Sequence, residues 1–386
     1  MKKVLDSLKY IKITDLVSPF IFIIAFIPSL IYRLYLLITK KELWLISEQR
    51  NAARDNGYYF FKYIRNEHPI DCVYYAIDKK CNDYNKVKNL GNIIQFGSLK
   101  HWILYMSSKY NISNQKYGNP NEKFWYVMHV MFNMYNNRVF LQHGITKDDS
   151  PWLYYKNTKF KYFVCGAKKE YEYIKEKFGY NEKQLLLTGF PRWDTLDDSL
   201  LEKKTILIMP TWRNWLGRDF NKSNSIDSIK DTEFYKSWNG LLNDKQFIDY
   251  IDKNNVTVYF YPHINMQKYL NEFIINSPNI KLVDINTDIQ MMLKKCELMI
   301  TDYSSVAFDF AYMNKPVIYY QFDYDEYRSK QLQEGYYDYQ KDGFGPVCNS
   351  LDEVIDSINN KKNKNNFFEN RTSDNCNKLY EYLKGE

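Results

Sequence analysis

Beyond Glu42, short runs rich in β-branched and aromatic residues alternate with helix-patterned stretches, and this alternation constrains the chain more than any other feature. A helix between each pair of short buried strands is the arrangement of βαβ units on a parallel sheet. The first series is LWLI (43–46), CVYYAI (72–77), NIIQF (92–96), RVFLQ (138–142), YFVCG (162–166) and LLLTG (185–189). The second is TILIMPT (205–211), VTVYFYP (256–262), IKLVDI (280–285), LMITDY (298–303) and PVIYYQF (316–322), with helices such as DIQMMLKKC and SVAFDFAYM between them. The polar stretch LDDSLLEKK (196–204) reads as a linker between the two. The expected organisation is an α/β chain: a segment 1–41, doubly wound domains at 42–197 and 203–360 facing a central cleft, and a C-terminal helix within 361–386. An Asn/Lys-rich patch at 359–366 is expected to be a loop, and no internal repeat is visible. In such an architecture a ligand sits beyond the carboxyl ends of the strands.

The chain has 386 residues, enough for a core that needs no disulfide or metal staple. With 45% apolar and 26% charged residues it is neither largely disordered nor a polytopic membrane protein. The 18% aromatic content accompanies abundant Asn, Ile and Lys, which points to codon bias rather than an aromatic binding device. A formal charge of +7 suits anionic lipid or phosphorylated substrates and falls short of a nucleic-acid-binding signature. The cysteines, at 72, 81, 165, 296, 348 and 376, are scattered without CxxC or Cys/His pairing, so reduced thiols of a cytoplasmic protein are expected and a zinc site is not.

Residues 16–32 (LVSPFIFIIAFIPSLIY) carry no charge and follow a segment containing Lys2, Lys3, Lys9 and Lys12. A spanning helix wants about 20 apolar residues, and here Pro19, Pro28 and Arg33 interrupt the run before LYLLI closes on Lys40 and Lys41. The reading is a membrane-associating hairpin on the cytoplasmic leaflet, peripheral or monotopic, and not a cleaved leader, since Tyr32, Arg33 and Leu34 follow the apolar core. The alternative is a buried core helix.

Polar and ionisable residues gather where strands of both series end. LQHGITK puts His143 just past a strand with Gly144 behind it, a place for a general base. ITDYSSVAFDF ends a strand in Thr301, Asp302 and Tyr303 and opens a helix near Ser304 and Ser305, so hydroxyls and free amides converge where phosphate can be held; ordinary N-capping is the bland alternative. MPTWR offers Arg213 and YFYPH offers His263 as donors to a diphosphate. No GxGxxG, GxxxxGK[ST] or GxSxG is present, so the NAD, P-loop and serine-hydrolase readings lack their residues. Asp323 and Asp325 form a D-x-D without further carboxylates to complete a cage, and no protein-held metal or other cofactor is expected. DGFGPV (342–347) reads as a plain loop, with a mobile lid as the functional alternative.

In order and spacing, His143-Gly144, Gly189-Phe190-Pro191-Arg192-Trp193-Asp194, Pro210-Thr211-Trp212-Arg213, Pro262-His263 and Thr301-Asp302-Tyr303-Ser304-Ser305 resemble the motifs of the CDP-glycerol glycerophosphotransferase family, the teichoic acid primases and polymerases. The likeness covers roughly residues 42–350; Gln142 and Ile145 depart from the family pattern at positions that bear on acceptor choice. The resemblance implies a GT-B-like fold of two Rossmann-like domains at the cytoplasmic membrane face. It also implies transfer of glycerol phosphate from CDP-glycerol, or another CDP-alditol, to a lipid-linked glycan hydroxyl with release of CMP. It further implies catalytic roles for His143, Arg213 and His263, and substrate binding by Gly144, Pro191, Arg192, Asp194, Thr211, Thr301, Asp302, Ser304 and Ser305. A GT-B nucleotide-sugar transferase is the competing reading, a non-catalytic envelope partner a remoter one, and self-association is open.

Overall fold

A computed structural model describes residues 13–116, 118–121, 124, 137–216, 227–359, 367–368 and 371–385. Lys2, Lys3, Lys9 and Lys12 lie outside the described residues, as does most of the Asn/Lys-rich patch.

Two fully parallel sheets carry the chain. The first has seven strands in the order β3-β2-β1-β4-β5-β6-β7: β1 (Leu43–Ser47), β2 (Cys72–Ile77), β3 (Ile93–Gln95), β4 (Tyr110–Ser113), β5 (Arg138–Phe140), β6 (Tyr162–Val164) and β7 (Leu185–Leu186). The second has six in the order β10-β9-β8-β11-β12-β13: β8 (Thr205–Met209), β9 (Thr257–Phe260), β10 (Ile280–Leu282), β11 (Leu298–Thr301), β12 (Val317–Tyr320) and β13 (Val347–Cys348). Helices cover both faces, so central strands bury every side chain, as β1, β8, β11 and β12 do. Each large apolar side chain so buried contributes roughly 2 kcal/mol. One apolar cluster runs through both sheets, taking in Ile46 and Val139 from the first and Leu207 and Met299 from the second.

Ten of these strands fall within the expected runs and β1 overruns its own by one residue, Ser47; β4 and β13 match none. β4 reads YNIS, too short and polar to stand out, yet it pairs with both β1 and β5 at the sheet's centre, and its buried Asn111 donates to the Tyr105 carbonyl. β13 lies in the stretch that follows Phe344, which is fully buried, so DGFGPV is packed into the body.

The expected N-terminal hairpin is corrected: residues 13–38 form one helix, α1 (Ile13–Ile38), passing through both prolines. A proline removes one helical N–H and crowds the carbonyl four residues back, but reversing the chain needs turn residues that this apolar run lacks. Packing holds α1 against the body. Ser18, Ala25, Ser29 and Leu36 are buried at helical spacing and bring α1 onto the helix Leu99–Ser107, where Ser107 Oγ donates to the Ser29 carbonyl at 3.0 Å and Phe22 meets Trp102 edge-on. Small residues on that stripe let two backbones approach closely.

Candidate active-site crevice

The carboxyl ends of β1, β4 and β5 form one wall of the crevice. The helix α2 (Asn56–Glu67) begins there, capped by Asp55, and Asn56 Nδ2 donates to the carbonyls of Leu141 and Gln142 at 3.0 and 2.8 Å. That latch fixes the turn after β5 on which His143 stands, a turn that also needs Gln142 at φ +60°. The His143 side chain is about half exposed (54%), with Nδ1 3.1 Å from Asp55 Oδ2. Asn114 Nδ2 supports the same carboxylate oxygen at 2.6 Å. Because an ionised carboxylate only accepts, Nδ1 carries the proton and Nε2 keeps its lone pair for an incoming hydroxyl. Burial pushes the Asp55 carboxyl up, but Arg192 and His143 outweigh it and hold the group below the usual carboxylate range.

The second wall is built from the ends of β8, β9 and β11. Ser305 caps the helix α3 (Val306–Tyr312) by position but makes no side-chain capping bond, whereas Ser304 Oγ accepts from Val306 N. The two walls touch here: a Cβ on Gly144 would lie 2.9 Å from Ser305 Oγ, so glycine lets the His143 loop close on the serines. His263 is half-buried and stacks on Trp212 with ring centroids 5.9 Å apart. Burial pushes its imidazole down to about 4, so it is neutral at pH 7. Its Nδ1 accepts from Asn265 N, which leaves the proton on Nε2 as a donor. Thr211 Oγ1 is a buried hydroxyl with no partner among the described residues.

Other expected site residues stand behind this surface. Arg213 is fully buried. Its Nε and Nη2 hold the Asp323 carboxylate at 2.7 and 2.9 Å, and its Nη1 lies 2.9 Å from Asp302 Oδ2. The expected direct contact of Arg213 with a diphosphate is therefore not what this geometry offers, because every edge of the guanidinium is already occupied. Asp302 also accepts from Thr211 N and Tyr303 N, tying β8 to β11, and Thr301 Oγ1 donates to the Met209 carbonyl. Asp323 thus serves Arg213, not a D-x-D metal cage. Arg192, 3% exposed, joins the walls: Nη1 meets Asp55 at 2.9 Å and Nη2 meets both Asp309 oxygens at 2.9 Å. Pro191 opens the short turn carrying Arg192, and Trp193 Nε1 donates to Asp309. Asp194 faces away from the crevice and caps the helix α4 (Asn375–Gly385), accepting from Asn375 N and Cys376 N at 2.8 and 2.7 Å.

Sequence reasoning missed Asp55, Asn114 and Asp309. Asp55-Asn-Gly ahead of a helical pattern was a readable cap, and a carboxylate inside the apolar run SVAFDFAYM signals a buried partner cation. Nothing local marks Asn114.

Residues 30–386 match the family described as CDP-Glycerol:Poly(glycerophosphate) glycerophosphotransferase. The chain is 35% identical to the minor teichoic acid biosynthesis protein GgaB of Bacillus subtilis over 92% of its own length and 41% of that protein's, so it spans well under half of this relative. It is 25% identical to a teichoic acid poly(glycerol phosphate) polymerase of Bacillus spizizenii, over 87% of this chain and 88% of the polymerase. Its fold is similar to that of the wall teichoic acid polymerase TagF soaked with CDPG, with a TM-score of 0.61 at 15% identity over 93% and 96% of the two chains.

Proposed function

The chain belongs to the CDP-glycerol:poly(glycerophosphate) glycerophosphotransferase family, and from that premise we propose that it transfers glycerol phosphate from CDP-glycerol to a hydroxyl of a lipid-linked glycan. CMP is released, in the synthesis of teichoic acid or a related envelope polymer. The observation that carries this reading is the closure of His143-Gly144 on Ser305, which sets a base with a free Nε2 beside a serine hydroxyl that makes no capping bond. His143 Nε2 takes the acceptor proton as the oxygen attacks the phosphorus bearing glycerol; a new P–O bond forms, the bond to the bridging oxygen breaks, and CMP departs with that oxygen. His263 Nε2–H and the hydroxyls of Ser304, Ser305 and Thr211 donate to the charge that develops on the diphosphate. Arg213, Asp302 and Thr301 position these donors, and Arg192, Pro191 and Asp194 position the His143 wall. The fold in this reading is GT-B-like, with 42–197 as acceptor domain and 203–360 as donor domain.

In this reading α1 attaches the chain to the membrane. Its outward face exposes Phe20, Ile23, Ile27 and Ile31 at 65% or more, while its inner stripe is packed on the body along the helix. A helix held lengthwise to a globular body lies in the interface plane rather than crossing the bilayer. The test is CMP release from CDP-glycerol by purified protein with a lipid-linked disaccharide in detergent. Acceptor-dependent CMP is expected. Release with CDP-ribitol alone changes the donor, and UDP release from UDP-sugars with silence on CDP-alditols sinks the reading.

A further inference from the structure

A cavity of about 810 Å³ opens between the first turns of α1 and the carboxyl ends of β1, β3 and β4. Its described lining residues all precede β5, and none belongs to the second wall of the crevice. Its helix side sets Val17 and Ile21 beside Asp15 and Ser18, and its strand side presents the amides of Gln49, Gln95 and Gln115 together with Arg50 and the buried Glu48. Side-chain amides each offer donors and acceptors and suit the paired hydroxyls of a saccharide or polyol. Arg50 Nε is steadied by Asp78 at 3.0 Å, and its terminal nitrogens make no ion pair among the described residues, which leaves a fork facing outward for one phosphate. Gln49 is exposed and makes no side-chain hydrogen bond among the described residues. The cavity borders His143, because Gln115, which lines it, places Nε2 3.5 Å from the Nδ1 edge of the imidazole. The helix that roofs it turns its other face, with Ile23 67% exposed, away from the protein.

We infer that this cavity is the acceptor subsite: the saccharide–phosphate head of an amphiphile enters beneath α1, its tail lies along the outer face of the helix, and its terminal hydroxyl reaches His143. The inference rests on the transferase reading and adds to it where the acceptor binds and which residues read it. The volume is that of a site for a ligand of a few hundred daltons, which a disaccharide head fills and a single glycerol does not. Acceptor recognition thereby falls to Gln49, Arg50 and Gln115, and α1 is a wall of the binding site as well as an attachment to lipid.

The test uses the full chain in detergent, with a benzophenone amino acid in place of Ile21 or of Ile23, and a lipid-linked disaccharide as probe, without donor. The expected result is a cross-link from position 21 that excess unlabelled probe removes and that the same lipid lacking its disaccharide does not give, whereas position 23, on the face where the tail lies, cross-links to either lipid. A missing cross-link at 21, or one equally strong with the bare lipid, overturns the inference. In parallel, Gln49→Leu and Arg50→Met raise the KM for the acceptor about tenfold and leave the KM for CDP-glycerol unchanged; an unchanged acceptor KM in both variants also overturns it. Cross-linking needs no donor, so the two readings fail separately. A cross-link without CMP release from any CDP-alditol removes the transferase reading alone, and CMP release without a cross-link removes the cavity alone.

Discussion

Asp55 Oδ2 lies 3.1 Å from His143 Nδ1, although 88 residues separate them in the chain. The contact sets the imidazole tautomer, and Asp55 can hold it only because Arg192 and Asn114 anchor the carboxylate from two other directions. Asp55→Asn offers an amide that can donate to Nδ1 and so favour the unproductive tautomer. A fall in kcat of about 100-fold is expected, with the KM for CDP-glycerol little changed and the kcat–pH profile displaced. A uniform loss of donor affinity and rate together would assign Asp55 to structure alone.

Arg213 is the hub of the second wall, and its removal should register first as lost stability. Arg213→Met leaves the Asp302 and Asp323 carboxylates buried without their cation, a change worth about 3 to 5 kcal/mol. A lower urea midpoint with an unchanged m-value is the expected result. Wild-type stability with a selective loss of CDP-glycerol binding would instead return Arg213 to direct contact with the diphosphate.

These two residues show what local sequence carries and what it does not. The strand runs were legible because parallel strands buried on both faces must be continuous in apolar residues, and His143, His263 and Ser305 were legible because strand ends line the crevice of such a fold. Partner choice was not legible. That Arg213 and Arg192 are consumed by carboxylates 110 and 117 residues away follows only from tertiary packing, as does the use of Asp194 to cap a helix near the C-terminus. The N-terminal hairpin failed for a different reason: two prolines were weighed as chain reversals, while the buried stripe of Ser18, Ala25 and Ser29 was a packing signal that favoured a continuous helix.

Two buried carboxyls make stability fall toward alkaline pH. Burial, reinforced by Asp55, pushes Glu48 up to about 8, and burial pushes Glu170 up to about 7. Both retain protons when folded that the unfolded chain has lost above about pH 4.5, so their contribution is full below that pH and is lost as pH rises through 7 to 8. Burial acts oppositely on His101 and His263, pushed down to about 3 and about 4. Those imidazoles take up protons on unfolding below about 6.5, which offsets the carboxyls between roughly pH 4.5 and 6.5. The unfolding free energy should therefore be flat across that interval and decline above it, and Glu170→Gln should reduce the decline by on the order of 1 kcal/mol. Urea midpoints at pH 6 and pH 8.5 measure this, and an equal slope in the variant would show that Glu170 is ionised throughout.

The outer face of α1 can be charged without touching anything the fold uses. Ile23 and Ile27 are each 67% exposed, on the side away from Ser29 and the helix beneath it. Ile23→Glu with Ile27→Glu puts two carboxylates where acyl chains would lie, at a cost of up to about 2.5 to 3.5 kcal/mol each at full depth and less near the headgroups. Each 1.4 kcal/mol is tenfold in partitioning, so co-flotation with anionic lipid vesicles should drop at least tenfold while the thermal midpoint stays within about 2 °C of the parent. Undiminished flotation would mean that α1 does not meet the lipid, and attachment would then have to come from another surface.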